Sequence, residues 1–352
     1  MLALLATPGT ADSTRVAETA PPSAALDPVL AQTLEVGVCG TDREISCGLF
    51  GVAPEHERDL VLGHEWLGVV ERDSAGFSRG DLVTATVRRS CGRCAACAQG
   101  APDACLTGDY RERGITRLHG YAAELVAEAP EHLVAVPATL GRLGVLAEPA
   151  SVCARGIRHA RAIGARQPWA PARALVLGTG AIGMLCTYFL RLEGLEVWTV
   201  GRAGAGTEKA RLVASSGAEY VSAKDTSTAA LAAELGGFDL VMEATGDARV
   251  MLATLGFLRR NGVACLLGID GRPGTIRMEG RVLGVDAVLQ NRALVGSVNA
   301  NRVDWLAAVE QLDRAARRWP EALAAFVGLR TPPDRFADAF AFGGVKATLL
   351  FG

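Results

Sequence analysis

Ala174-Leu175-Val176-Leu177-Gly178-Thr179-Gly180-Ala181-Ile182-Gly183-Met184 is the stretch that settles the fold class. Its first four residues form an apolar run of the kind a buried parallel strand carries, and Ala181 to Arg191 has a helical pattern. Between the two lies G-x-G-x-x-G. In that setting Gly178 permits a tight turn, Gly180 lets backbone approach a pyrophosphate, and Gly183 packs helix against strand. The helix N-terminus adds free N–H groups and a positive dipole for phosphate. Gly178, Thr179, Gly180, Ala181, Ile182 and Gly183 are therefore assigned to a dinucleotide; a purely structural glycine turn does not require this strand–turn–helix context. Ala174 to Leu190 carries no charge over 17 residues, close to the lower limit for a spanning helix, but its glycines interrupt any such helix.

Outward from this motif, strands and helices alternate. Glu196 to Val200, Glu219 to Val221, Asp239 to Glu243, Val263 to Leu267 and Ala293 to Val295 read as strands. Thr207 to Ser215 and Ala248 to Leu258 read as helices. That rhythm specifies a doubly wound parallel sheet over about 154–297, an α/β arrangement. Residues 1–153 read as short β-rich segments broken by glycine and charged turns, with Met1 to Pro8 as an opening strand. Residues 298–352 hold an amphipathic helix (Val303 to Arg318) and a closing strand (Ala347 to Phe351), too little for a domain, so they are expected to return to the first one.

A chain of 352 residues with 49% hydrophobic and 21% charged residues has enough core for two domains and is not disordered. A formal charge of -2 with interspersed signs argues against nucleic acid or anionic membrane as partner. The apolar N-terminus lacks the basic flank and cleavage site of a secretory signal, so the reading is cytoplasmic. Nine cysteines, an odd number, suit metal ligation in a reducing compartment better than disulfides.

Four of those cysteines, Cys91, Cys94, Cys97 and Cys105, fall within a lobe at about 88–110. Four thiolates at this spacing suit a closed tetrahedral zinc site without an open coordination position, hence a structural one. A zinc-ribbon nucleic-acid module would need two separated CxxC pairs and a basic, aromatic surface, which the segment lacks. A second, dispersed set comprises Cys39, His64-Glu65 and Glu148. A thiolate, an imidazole and a carboxylate can hold zinc with a position left open, although each residue alone also fits a structural place, and spacing does not decide.

At the end of the second strand of the sheet, Gly201-Arg202 stands where NAD sites usually place an acid for the ribose 2′-hydroxyl. With no acid before Glu208, and with Arg202 able to pair with a 2′-phosphate, NADP is preferred over NAD.

Cys39-Gly40-Thr41-Asp42, Gly63-His64-Glu65, the four-cysteine lobe and the glycine fingerprint stand in the order and spacing of zinc-containing medium-chain alcohol dehydrogenases, and the chain resembles that superfamily over nearly its whole length. Within it, Val87-Arg88-Arg89, Tyr110 to Ile115, His119-Gly120-Tyr121, Glu243-Ala244-Thr245-Gly246 and Asn291 to Asn299 are most similar to microbial glucose 1-dehydrogenases. The resemblance implies a GroES-like β-rich catalytic domain plus a doubly wound Rossmann cofactor domain. It implies two zinc ions per chain, the catalytic one on Cys39, His64 and a carboxylate shared between Glu65 and Glu148. Thr41 would relay the alcohol proton and Asp42 would orient His64. Zinc would act as a Lewis acid on the substrate hydroxyl, and hydride would pass to C4 of the nicotinamide. Thr245, Ser297 and Asn299 would join the cofactor site, and Glu112 and Asn299 would hold sugar hydroxyls, with Glu148 also at the substrate.

Three departures qualify that picture. Glu44 replaces the histidine through which the relay of many alcohol dehydrogenases continues. Val87 stands where some relatives carry asparagine. Trp66 is bulkier than the usual small residue and is expected to narrow the pocket. The leading expectation is thus an aldose 1-dehydrogenase yielding a lactone. A dehydrogenase of a cyclitol, polyol or amino-sugar intermediate is the alternative, and a nonenzymatic zinc-binding interaction protein the remote one. A homodimer or homotetramer is expected by analogy with relatives.

Overall fold

The computed structural model describes residues 1–22 and 29–351. The chain divides into two compact units. One comprises Met1–Ser151, Asn299–Asp313 and Phe326–Gly352; the other Val152–Val298 and Arg314–Ala325. The returning segment is therefore shared: 314–325 packs with the second unit, whereas the sequence pattern assigned all of 298–352 to the first. The chain leaves the first unit at Ser151, inside the helix Ala147–Gly164.

The first unit is built on a seven-stranded sheet ordered Leu133–Ala135, Leu82–Ala85, Glu65–Val70, Val29–Val38, Lys346–Leu350 and Val327–Thr331, with Leu125–Glu128 also pairing with Val29–Val38. The ten-residue strand Val29–Val38 sets the registers that matter: Gly37 faces Glu65, Val36 faces Trp66, and Val38 faces Ala347. A side chain at Gly37 would place its Cβ 2.0 Å from a Glu65 carboxylate oxygen. Glycine there keeps the corridor across the strand open. Trp66, Tyr121, Leu4, Leu62 and Ile45 fill the core beneath.

In the second unit six parallel strands follow the order Glu219–Ser222, Glu196–Gly201, Arg173–Leu177, Phe238–Glu243, Leu258–Leu266 and Ala293–Gly296. The chain winds to one side of Arg173–Leu177 and then to the other, so the topological switch lies at the carboxyl end of that strand, beside Gly178. The uncharged stretch becomes this strand, the glycine turn and the helix Ala181–Leu192, whose residues from Gly183 to Leu190 are all buried. Protein neighbours account for its apolarity. No described helix is long and apolar enough to cross a membrane.

Candidate active site and metal centres

Each fingerprint glycine meets a different constraint. Gly178 has φ 111°, and a Cβ there would lie 2.8 Å from the Ala244 carbonyl; a Cβ on Gly183 would lie 2.0 Å from the Gly178 carbonyl. At Gly180 a Cβ would meet nothing within 4 Å. Two of the three glycines are thus demanded by the protein's own packing, while the third borders open space at the start of a twelve-residue helix, a cradle suited to a pyrophosphate. Ser297 supplies a buried hydroxyl without a partner among the described residues. Thr245 has its hydroxyl engaged, since both its N–H and its Oγ1 donate to Glu243.

Arg202 is exposed at the end of Glu196–Gly201, and its guanidinium has no hydrogen bond or ion pair among the described residues. Lys209, which the sequence reading did not single out, stands near it: partial burial and then the adjacent Arg202 hold its ammonium below the usual lysine range. Two neighbouring cations with no acid between them fit a phosphate on the ribose.

The dispersed set comes together in the first unit. Cys39 follows directly on Val29–Val38 and caps the helix Gly40–Ser46, with its Sγ accepting from the Thr41 N–H at 3.2 Å and the Asp42 carboxylate accepting from the Cys39 N–H at 2.9 Å. His64 Nε2 lies 3.1 Å from Cys39 Sγ. Donor atoms of Cys39, His64 and Glu65 all fall within 4.8 Å of one another. Glu148, in the first turn of Ala147–Gly164, is not part of that group. Burial pushes its carboxyl up to about 7, against the opposing pull of His64. Both oxygens of Glu65 accept from the buried Lys346 ammonium, at 2.7 and 2.6 Å, and the same ammonium donates to the Val38 carbonyl. Sequence gave no motif for Lys346; its one signal is a lysine in an otherwise apolar closing strand.

This donor set fits a metal ion. Burial opposes charge on His64, but the field of Cys39 and Asp42 outweighs it and raises the imidazole pKa well above normal, so the pocket favours a cation at Nε2. Asp42 Oδ1 and His64 Nδ1 stand 3.6 Å apart, and neither has a hydrogen bond among the described residues. That separation is longer than a hydrogen bond, but it places the carboxylate on the ring nitrogen that a metal on Nε2 would leave protonated.

The four lobe sulfurs also lie within 4.8 Å of one another, with separations of 3.4, 3.6 and 3.9 Å along Cys94–Cys97, Cys105–Cys91 and Cys91–Cys97. Thiolates about 2.3 Å from a tetrahedral zinc would sit roughly 3.8 Å apart, so the lobe has the required dimensions. The Thr107 hydroxyl draws Cys105 down to about 5, whereas partial burial and the crowding of Cys94 push Cys97 up to about 12. Four thiols this close need a cation before all can ionise together.

For the expected substrate residues, Glu112 and Asn299 do meet: Asn299 Nδ2 donates to Glu112 Oε1 at 3.3 Å. Glu112 is not a surface partner of Arg111 or Arg113. It pairs across the strands with Arg88, at 3.0 Å. Val87 is buried and offers no polar contact. Trp66 does not narrow a pocket: it is fully buried in the core, stacked on Tyr121 at 4.8 Å, with its Nε1–H donating to Thr33. The alternation of its strand turns the indole inward while Glu65 faces Lys346.

A Rossmann-like parallel sheet, a GroES-like β-rich unit and the two ligand sets define a zinc-dependent medium-chain dehydrogenase, an enzyme that uses a nicotinamide cofactor. The family described as "Alcohol dehydrogenase GroES-like domain" matches residues 26–138, and "Glucose dehydrogenase C-terminus" matches 141–349, more than half of the chain. The chain belongs to this glucose dehydrogenase family. It is 42% identical over 327 residues to a glucose 1-dehydrogenase of Methanocella arvoryzae, covering 92% of this chain and 91% of that one. It is 38% identical over 347 residues to that of Thermoproteus tenax, covering 97% and 96%. A solved structure of Haloferax mediterranei glucose dehydrogenase, in complex with NADP, Zn and gluconolactone, matches with a TM-score of 0.91 at 31% identity, over 100% of this chain and 99% of the other.

Proposed function

We propose that this protein oxidises an aldose of the glucose type at its C1 hydroxyl, giving the lactone, with NADP as hydride acceptor and two zinc ions per chain. The observation that carries the reading is the end-to-end match to a dehydrogenase holding NADP, Zn and gluconolactone, joined to a Cys39–His64–Glu65 donor set within 4.8 Å.

Cys39 and His64, with Glu65 or Glu148, would hold the catalytic zinc. When bound, that ion supplies a Lewis acid that lowers the pKa of a substrate hydroxyl. The Thr41 hydroxyl, without a hydrogen bond among the described residues, is available to take the substrate O–H proton and pass its own to solvent, with Glu44 exposed on the same helix. A bound nicotinamide would accept the C1 hydrogen as hydride while the hydroxyl proton leaves by way of Thr41, so that the C1–O bond would become the lactone carbonyl. Asp42 positions Cys39 by accepting from its N–H, and its other oxygen faces His64 Nδ1 at 3.6 Å. Glu112 and Asn299 accept and donate hydrogen bonds to ring hydroxyls. Arg202 and Lys209 favour the 2′-phosphate of NADP.

The Ala293–Gly296 strand is an edge of the six-stranded sheet, and Leu283, Val288, Leu289 and Leu294 nearby are exposed. An unpaired edge with apolar flanks supports self-association through this unit.

The test is nicotinamide reduction by metal-quantified protein across glucose, galactose, xylose, scyllo-inositol, polyols and simple alcohols, with NAD in parallel. Expected are aldose turnover with NADP favoured, two zinc ions per chain, and one zinc ion with no turnover in Cys39→Ser. Silence on every aldose, with both zinc ions bound and NADP affinity intact, would overturn it.

A further inference from the structure

The Arg88 side chain is the least explained group near the substrate residues. It is 10% exposed, on the two-residue strand Arg88–Arg89 that pairs antiparallel with Arg111–Arg113. Its Nε donates to Glu112 Oε1 at 3.0 Å, and one terminal nitrogen stands in ion-pair contact with the same oxygen, also at 3.0 Å. The other terminal nitrogen donates to the backbone carbonyl of Asp103 at 2.9 Å. Asp103 lies in the short helical turn Pro102–Ala104, between the third and fourth cysteines of the lobe, and the same turn accepts from the Ser90 hydroxyl. The guanidinium also stacks 3.9 Å over the Tyr110 ring. Two hydrogen bonds, an ion-pair contact and a covered face hold the Arg88 guanidinium in place.

Asn299 Nδ2 donates to Glu112 Oε1 as well, so two hydrogen bonds and the guanidinium charge converge on one carboxylate oxygen. Among the described residues Oε2 accepts no hydrogen bond, although the side chain is only 14% exposed. The turn beyond Glu112 lies against the His64 segment: a Cβ on Gly114 would be 2.5 Å from the Gly63 carbonyl. The strand that carries Glu112 thus runs into a turn packed against the backbone one residue before His64.

We propose that Arg88 is the positioning residue for substrate: it clamps one oxygen of Glu112, presents the other to a sugar hydroxyl, and takes its own placement from the four-cysteine lobe. This rests on the reading of Glu112 as a sugar contact. It gives the lobe a second consequence besides local stability. With a metal bound, Cys97 and Cys105 would hold the turn that carries the Asp103 carbonyl; that carbonyl accepts from Arg88, and Arg88 in turn holds the carboxylate. Coupling is reciprocal, so loosening Arg88 also loosens the lobe.

Arg88→Gln, Arg88→Lys, Glu112→Gln and the double Arg88→Gln/Glu112→Gln would be assayed with glucose and its monodeoxy analogues. Arg88→Gln is expected to raise sugar KM about tenfold or more, with kcat and the KM for NADP little changed; Arg88→Lys falls between it and wild type. The double variant is expected to be no worse than Glu112→Gln alone, because Arg88 acts through that carboxylate. Discrimination against one deoxy sugar, the one lacking the hydroxyl that Oε2 holds, should collapse in Arg88→Gln and in Glu112→Gln. In a Cys39→Ser background, where the lobe holds the remaining zinc, Arg88→Gln should speed zinc loss to a chelator several-fold. Unchanged sugar KM, additive penalties or an unchanged release rate overturn the proposal; should Arg88→Gln fail to fold, Arg88→Lys carries the same comparisons. Wild-type protein silent on every aldose overturns the sugar reading and this proposal with it, and is told apart because it needs no variant.

Discussion

Glu65 and Lys346 show how much a single pair can decide. Both are almost fully buried, and both Glu65 oxygens accept from the Lys346 ammonium. Removing one partner strands the other in a medium that penalises bare charge, at a cost of about 3–5 kcal/mol. Lys346→Met is therefore expected to lower the urea midpoint of the first unit sharply, and Glu65→Gln/Lys346→Met to recover a large part of that loss. Unfolding curves of the two single variants and the double check it; fully additive penalties would show that the pair is not the source. At this scale the sequence was legible where a motif fixes the neighbours, as at Cys39, His64 and the glycines. It was silent on Lys346, whose partner is 281 positions away, and misleading at Trp66, where bulk beside a metal ligand suggested a pocket wall. Strand alternation sends adjacent residues to opposite faces, and that parity, not proximity in sequence, decided which of Glu65 and Trp66 met the site.

Among elements, the small ribbon of Arg88–Arg89 and Arg111–Arg113 sorts its side chains by the same parity. Arg88 and Glu112 pair with each other, while Arg89 and Arg113 converge on Glu128, with Tyr121 donating to the same carboxylate. Burial alone would raise the Glu128 pKa, but the two arginines outweigh it and hold the carboxyl below its usual range. Burial, then Arg89, depresses the neighbouring His132 to about 4 from 6.5. Both groups bind protons more readily in the unfolded chain, so their contribution is complete above about pH 6.5 and is lost as pH falls, first through His132 and then through Glu128. His132 is partly solvated, so its share is discounted to roughly 1–2 kcal/mol. Thermal unfolding of wild type and His132→Gln at pH 7 and 4.5 should show a shallower acid loss in the variant; parallel losses would count against it. Most strands and helices of the second unit stand within a residue or two of their sequence patterns, Leu258–Leu266 beginning earlier. The strand Val29–Val38 was not legible, because its buried positions include Thr33 and Glu35. Those polar groups are tolerated inside because Trp66 donates to Thr33, and Arg330 and Thr348 donate to Glu35.

At the scale of the whole molecule, the apolar residues beside the Ala293–Gly296 edge point outward: Val288 and Leu289 are 68% and 67% exposed. Light scattering is expected to give a multiple of the 36.7 kDa chain mass, and Leu289→Glu to shift it toward the monomer; a wild-type monomer would remove the basis for self-association. The alternation of strands and helices made the second unit readable as a continuous block. The first unit was readable only in part, because 314–325 lies in the middle of the returning segment yet packs elsewhere, and periodicity does not report which core a helix joins.

The three-segment composition of the first unit also orders events in time. A ribosome adding about 5–20 residues per second separates the appearance of Glu65 from that of Lys346 by roughly 14–56 s. During that interval the nascent chain carries the thiol, the imidazole and the carboxylate, but not the ammonium that pairs with that carboxylate. The second unit, nearly contiguous, has most of its core in hand before the first can close. A metal ion captured early would meet a half-built, more acidic pocket, so metal loading and the closing strand compete for the same carboxylate while the protein is being made.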